Sequence, residues 1–308
     1  MSSHESTGLT RREALAVAGA GIIASQGKLV SAEPLKVNRP VCVFAKPLQH
    51  LSFDELGKRL KAIGAKGIEA TLRPGGQIEP QDFGRRLPEL CEALAKHEQR
   101  VVIATCNINQ VTSESLQQLE AFKANGIQFL RTNYYRFDLK KPLLPQIDVF
   151  AKKAIELAET CADLGVCALY QNHAGDKYLG AALWDVLGIL KEVNPKGMKL
   201  AFDVRHASLE LTQSWPSALR AVESYVGALF VKDFKWQDGK VQNVPLGDGG
   251  TSAVLMRALK RPAIAEQDIL PVSLHVEYFD HKAPGLQEQR WQAVENDMQV
   301  LRQTLSKV

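Results

Sequence analysis

Short apolar runs alternate with amphipathic stretches along most of this chain. Residues 41–45 (VCVFA), 67–72, 100–106, 128–134, 167–171, 200–204, 228–232 and 271–277 are apolar on consecutive positions, the pattern of strands covered on both faces. Between them the apolar positions recur with helical period, as Leu56, Leu60 and Ile63 do within 53–63. Further helix-like segments occupy 82–97, 113–124, 145–165, 181–193, 217–224, 252–259 and 287–306, and Thr112 or Ser113 is placed to cap the third helix. A strand followed by a helix, eight times over with short connections, predicts the α/β class and a single (β/α)8 TIM barrel. A doubly wound sheet would place a glycine-rich turn after its first strand, where this chain has Lys46-Pro47-Leu48-Gln49-His50.

Three of the apolar runs break off abruptly into charged or imidazole side chains: 168–176 (ALYQNHAGD), 199–208 (KLAFDVRHAS) and 273–278 (SLHVEY). In a barrel these breaks fall at the C-terminal strand ends, where sites are built. Residues two apart on a strand face the same way, so Gln171 with His173, Asp203 with Arg205, Phe230 with Lys232, and His275 with Glu277 and Phe279 are expected to point into one cup. Glu277 is the candidate base, and His173 or His206 its partner acid, because imidazole titrates near neutral pH. Lys232 offers a fixed ammonium that can polarise a carbonyl; an ion-pair network of Asp203, Arg205, Lys232 and Glu277 without chemistry is the alternative.

The loops add weaker candidates. Arg73 in LRPGG and His50 follow strands two and one, where Arg73 suits a carboxylate or phosphate and each suits as well a solvated or capping role; Asp233 falls among the same strand-end loops. Residues 247–252 (GDGGTS) suit either a phosphate cradle or a tight turn with Thr251 or Ser252 as a helix cap. Asp238-Gly239 predicts a hairpin turn, making 236–244 a flap at the site mouth that carries Trp236. Trp184, spaced helically with Leu183 and Leu187, reads as core.

Composition narrows the picture without changing it. With 308 residues, 45% of them hydrophobic, the chain can bury a barrel-sized core. A net charge of +4, with no basic run interleaved with aromatics, gives no support for a nucleic-acid partner. Cys42, Cys91, Cys106, Cys161 and Cys167 are odd in number and lack CxxC spacing; they read as buried thiols, with a Cys161–Cys167 bridge left open. Thr10-Arg11-Arg12 before the small-residue apolar run 14–24 and Val30-Ser31-Ala32 resembles a twin-arginine export signal. The run is too short for a stable membrane anchor. Residues 1–32 are therefore expected to be removed, leaving 33–308 as the barrel. The resemblance implies the twin-arginine machinery as a partner and a periplasmic product exported already folded.

The set YQNHAGD, FDVRHA, VKDF, VPLGDGG and HVEY resembles the xylose-isomerase-like family of sugar isomerase and epimerase barrels over nearly all of 33–308. The resemblance implies a small carbohydrate substrate, proton abstraction next to a carbonyl, and one divalent metal held by carboxylates and imidazole at the ends of strands five to eight. Asp203 and His206 reproduce the family's D-x-x-H and Glu277 its last carboxylate, so Asp203, His206 and Glu277 are the candidate ligands, for Mn, Zn or Co. Gln171 and Phe230 stand where the other two ligands belong, which leaves a site without metal open as well. Gln171, Arg205, Asp233, Arg73, His50 and Trp236 are the candidate substrate contacts. A keto-sugar lyase on the same cup and a non-catalytic carbohydrate-binding barrel are the alternatives.

Overall fold

The computed structural model describes residues 39–267 and 269–308, all within the unit Lys36–Val308. The expected export signal and its cleavage point lie outside the described residues. The first half of the barrel runs β1 (Val41–Phe44), α1 (Phe53–Ala62), β2 (Ile68–Thr71), α2 (Phe83–Ala95), β3 (Val101–Thr105), α3 (Ser113–Ala124), β4 (Phe129–Arg131) and α4 (Leu144–Leu164). The second half runs β5 (Cys167–Gln171), α5 (Trp184–Leu190), β6 (Met198–Asp203), α6 (Val204–Leu211), α7 (Trp215–Val222) and β7 (Val226–Val231). A hairpin of β8 (Asp233–Gln237) and β9 (Lys240–Val244) follows, then α8 (Thr251–Leu259), α9 (Pro262–Ala265), β10 (Val272–Leu274) and α10 (Gln287–Leu305). Strands β1 to β7 pair in sequence order, all parallel, and β10 closes the ring between β7 and β1. The chain thus adopts the (β/α)8 barrel that its alternating pattern predicts.

Local chemistry sets the helix starts. The Ser52 hydroxyl accepts the Glu55 N–H at the head of α1, and Leu56 and Leu60 on its apolar stripe are fully buried. Thr112 and Ser115 cap each other at α3, each side chain accepting the other's backbone N–H. Two apolar regions result. One fills the space between strands and helices, and a smaller one, containing Cys42, Ile103, Leu169, Ala201, Ala228 and Phe230, plugs the inside of the barrel. The polar residues described below stand on this inner plug.

Two local expectations need correction. The apolar run read as a strand through residue 204 ends at Asp203, and α6 begins at once, because the Asp203 carboxylate accepts the His206 N–H and caps a helix there. Trp184 is 56% exposed while Leu183 and Leu187 are buried, since α5 starts at Trp184 and turns the indole away from the stripe. Cys161 and Cys167 are both free thiols. The hairpin does form, with Asp238 and Gly239 both at positive φ (51° and 71°), as a tight two-residue turn requires. No helix among the described residues is long and apolar enough to cross a membrane.

Candidate active site

The site is organised by the turn from β6 into α6. Because Asp203 is the helix cap and His206 the third residue of the helix, the spacing D-x-x-H places both side chains on one side of the barrel mouth. Asn172 locks the cap by bonding both ways to the Asp203 backbone, accepting its N–H at 2.7 Å and donating to its carbonyl at 3.2 Å. The Asp203 carboxylate is left with Oδ2 facing the barrel axis. There it accepts the Gln171 amide N–H at 2.7 Å and lies 3.2 Å from the Lys232 ammonium.

Lys232 leaves the end of β7 and reaches across to donate to Glu277 Oε2 at 2.8 Å, so its ammonium bridges two carboxylates. Burial disfavours that charge, but Asp203 and Glu277 outweigh it and hold the ammonium protonated. Burial would likewise push the Glu277 carboxyl up; Lys232, His275 and Lys46 overcome this and hold it well below the usual carboxylate range. Glu277 keeps about a quarter of its side chain exposed to a cavity of about 350 Å3, whose wall also carries Lys46, His173, Arg205, His206 and Asn243.

The imidazoles of His173 and His206 lie 4.0 Å apart between ring centres, tilted by 37°. Burial, followed for His206 by the nearby Lys232 charge, lowers both below the usual histidine range, so each is neutral at pH 7. Their partners fix opposite tautomers. His173 Nδ1 donates to the Ala174 carbonyl at 2.8 Å, leaving Nε2 with its lone pair. Arg205 can only donate, so the 3.1 Å contact from its guanidinium makes His206 Nδ1 the acceptor and puts the His206 proton on Nε2. That Nε2–H is buried, has no hydrogen-bond partner, and lies 3.7 Å from Asp203 Oδ2, too far to donate to it. The cup therefore presents one imidazole acceptor beside one imidazole donor.

Beneath this layer lies a charged stack that the sequence pattern did not reveal. Glu69, fully buried on β2, accepts from Thr105 and Ser273 at 2.6 Å each and from His275 Nε2 at 2.8 Å, and it pairs with Arg131 at 3.3 Å. Burial alone would raise its carboxyl, yet Arg131 and His275 bring it down to about 2. Arg131 and Tyr134 both donate to Gln171 Oε1, at 3.1 and 2.6 Å, which orients the amide so that its nitrogen meets Asp203. Phe44 and Phe230 flank Arg131 and His275. A lone Glu in IEAT and a lone Arg after an apolar pair gave no signal; only strand alternation, applied to β2 and β4 as it was to the later strands, would have found them.

A family model described as Xylose isomerase-like TIM barrel matches residues 57–304. The chain belongs to that family. No curated protein matches it by sequence. Among solved structures this family barrel is similar to a putative xylose isomerase from Rhodospirillum rubrum (12% identity, 86% of this chain and 99% of that one, TM-score 0.68). It is similar also to a D-psicose 3-epimerase with D-tagatose from Clostridium cellulolyticum (13%, 86% and 99%, 0.65) and a 3-keto-D-glucoside 4-epimerase from E. coli (15%, 86% and 99%, 0.62). At these identities the likeness establishes the fold.

Within the family barrel, the residues at the expected metal position do not fit a divalent ion. Asp203 and Glu277 do come together, but the ammonium of Lys232 bridges them, and an ammonium within 3.2 Å of both repels a second cation. His206 presents a protonated Nε2, Phe230 has no donor atom, and the Gln171 oxygen is turned away to Arg131 and Tyr134. No group of three His, Cys, Asp or Glu among the described residues is arranged to hold a metal.

Of the other candidates, Arg205 lines the cup, but from the first turn of α6 rather than from the strand, with its guanidinium bonded to Asn243 at 3.0 Å. Arg73 lines an adjoining cavity. Asp233 faces the opposite way: its carboxylate accepts the N–H groups of Phe234, Gly247, Gly249 and Thr251, at 2.9 to 3.1 Å. The glycine loop is thereby folded onto a carboxylate, which corrects both readings of 247–252: its N–H groups do not face a phosphate, and neither Thr251 nor Ser252 caps α8 with its side chain. His50 is exposed and Trp236 is 59% exposed, and neither lines either cavity.

Proposed function

We propose that this protein is an isomerase of a small carbohydrate, working by proton removal next to a carbonyl, with Lys232 supplying the positive charge that stabilises the enediolate. The observation that carries the reading is the ammonium held between Asp203 and Glu277 at the floor of a cup walled by two neutral imidazoles of opposite tautomer. Family membership and likeness to barrels named for xylose, psicose and keto-glucoside chemistry support a carbohydrate as the ligand.

In this mechanism the sugar carbonyl oxygen takes a hydrogen bond from Lys232, drawing the ammonium off Glu277 and restoring basicity to that carboxylate at the moment it is needed. Glu277 removes the proton from the adjacent carbon, and the electron pair moves onto the carbonyl oxygen. His206 Nε2–H donates a hydrogen bond to that oxygen and keeps its proton, while His173 Nε2 takes the proton of the neighbouring hydroxyl and passes it to the same oxygen as the new carbonyl forms. Glu277 then returns its proton to the former carbonyl carbon. Gln171, an amide at the end of β5, cannot act as a second base, which favours this one-base route over two-base epimerisation.

Exchange of substrate hydrogen in deuterium oxide tests the proposal. Aldoses and ketoses incubated with the protein should gain deuterium at the carbon next to the carbonyl, and Glu277→Gln should lower that rate by about a hundredfold or more. A parent protein that binds a sugar yet never exchanges it, with Glu277→Gln binding equally well, would instead be a carbohydrate-binding barrel. We also propose that the chain acts after export; changing Arg11 and Arg12 both to lysine should then leave it uncleaved inside the cell.

A further inference from the structure

The cup opens into a second cavity of about 740 Å3, and the two share Lys46 and His281. This cavity sits over the β1 to β4 side of the barrel mouth, and its lining includes Lys46, Arg73, Arg136 and Lys282 but no aspartate or glutamate. The nearby acids Glu79 and Asp280 accept backbone N–H groups of the cavity wall, from Gly75 and Lys282, and of the four cations Lys46 stands 4.0 Å from Glu277 of the cup. Arg73 lies half-buried just after β2, and its guanidinium makes no hydrogen bond or ion pair among the described residues. Burial and the Arg131 guanidinium both work against its charge. Arg136 rests on the Tyr178 ring at 4.9 Å with no carboxylate partner among the described residues, and Asn133 and Asn107 add amide donors to the same wall. A half-buried guanidinium beside other cations is costly unless an anion joins it, and its planar donor edge suits an oxyanion.

We propose that this cavity is an anion-binding subsite that takes a carboxylate or phosphate group carried by the sugar, with Arg73 as its principal contact. The inference rests on the carbohydrate reading above for the body of the ligand and adds the substrate class: acidic sugars, either uronates or sugar phosphates. The shared Lys46 lets one molecule lie across both cavities, its reacting carbons at Glu277 and its anionic end at Arg73.

Calorimetric titration with glucose, glucuronate and glucose 6-phosphate, and with acetate and inorganic phosphate as bare probes, tests it. An acidic member should bind at least about tenfold more tightly than glucose, and the preferred acid tells carboxylate from phosphate. Arg73→Gln should lose about ten- to a hundredfold of acid affinity, the range for one charge-assisted contact, and leave any glucose binding unchanged. Arg136→Gln, at an exposed position that tolerates change, should lower acid affinity in the same sense without moving the thermal midpoint. Equal affinity for acidic and neutral sugars, a preference that survives in Arg73→Gln, or no binding of either bare anion at millimolar concentration overturns the proposal. Binding is read apart from exchange: acid binding without deuterium uptake in any sugar removes the isomerase reading alone, and exchange without acid preference removes this one alone.

Discussion

Replacing Glu69 by glutamine removes the carboxylate that Arg131, His275, Ser273 and Thr105 all address. Breaking a buried pair leaves an uncompensated charge, so the variant should lose about 3–5 kcal/mol at pH 7, measured by denaturant unfolding. The sign of its pH dependence follows from the depressed carboxyl. Its contribution is complete above the unfolded value of about 4.5 and is lost as pH falls towards the folded value of about 2. The stability gap between parent and Glu69→Gln should therefore narrow between pH 5 and pH 3; a constant gap would show that Glu69 does not titrate this way. Residue identity made Glu277, Lys232, His173 and His206 legible, because charged and imidazole groups ending apolar runs are conspicuous. Glu69 and Arg131 sit within their runs, where a single polar residue reads as an interruption, and only the closed barrel shows that they meet.

At the scale of elements, Asp203 and Asp233 look alike in sequence, each following an apolar strand, yet they play different parts. Asp203 ends its strand and caps α6 while keeping one oxygen for the cup; Asp233 begins a hairpin and is consumed by the glycine loop. Gly249 makes that second arrangement possible, because a Cβ there would lie 2.1 Å from the Phe234 carbonyl and 2.3 Å from Asp233 Oδ1. Gly249→Ala should push the loop off Asp233 and destabilise the protein by about 1–3 kcal/mol, the cost of leaving a buried carboxylate short of donors. Thermal unfolding with the hairpin intact by NMR would check it, and an unchanged midpoint would mean that the loop has room to shift. The strands, the long helices and the hairpin turn were readable because period and turn chemistry are local. The boundary between β6 and α6 was not, since a cap takes effect only when the following residues turn.

For the molecule as a whole, the charge at the centre of the cup is the chain's own. Dialysis against a chelator should leave both the thermal midpoint and sugar exchange unchanged, whereas Lys232→Met should abolish exchange, and added Mn, Zn or Co should not restore it to the parent. Loss of parent activity on chelation, with recovery on adding one of these metals, would overturn the assignment of the ammonium to that place. Eight apolar strands alternating with amphipathic helices determined by themselves that this chain closes into a barrel, because burial on both faces of a strand is written residue by residue, and the barrel then gathers the polar strand ends at one mouth. What each polar group does there was decided only in three dimensions. Whether Asp203 and Glu277 ligate a metal or grip Lys232, and which nitrogen of each imidazole is protonated, depends on ångström distances between residues from different strands, and sequence spacing does not encode those.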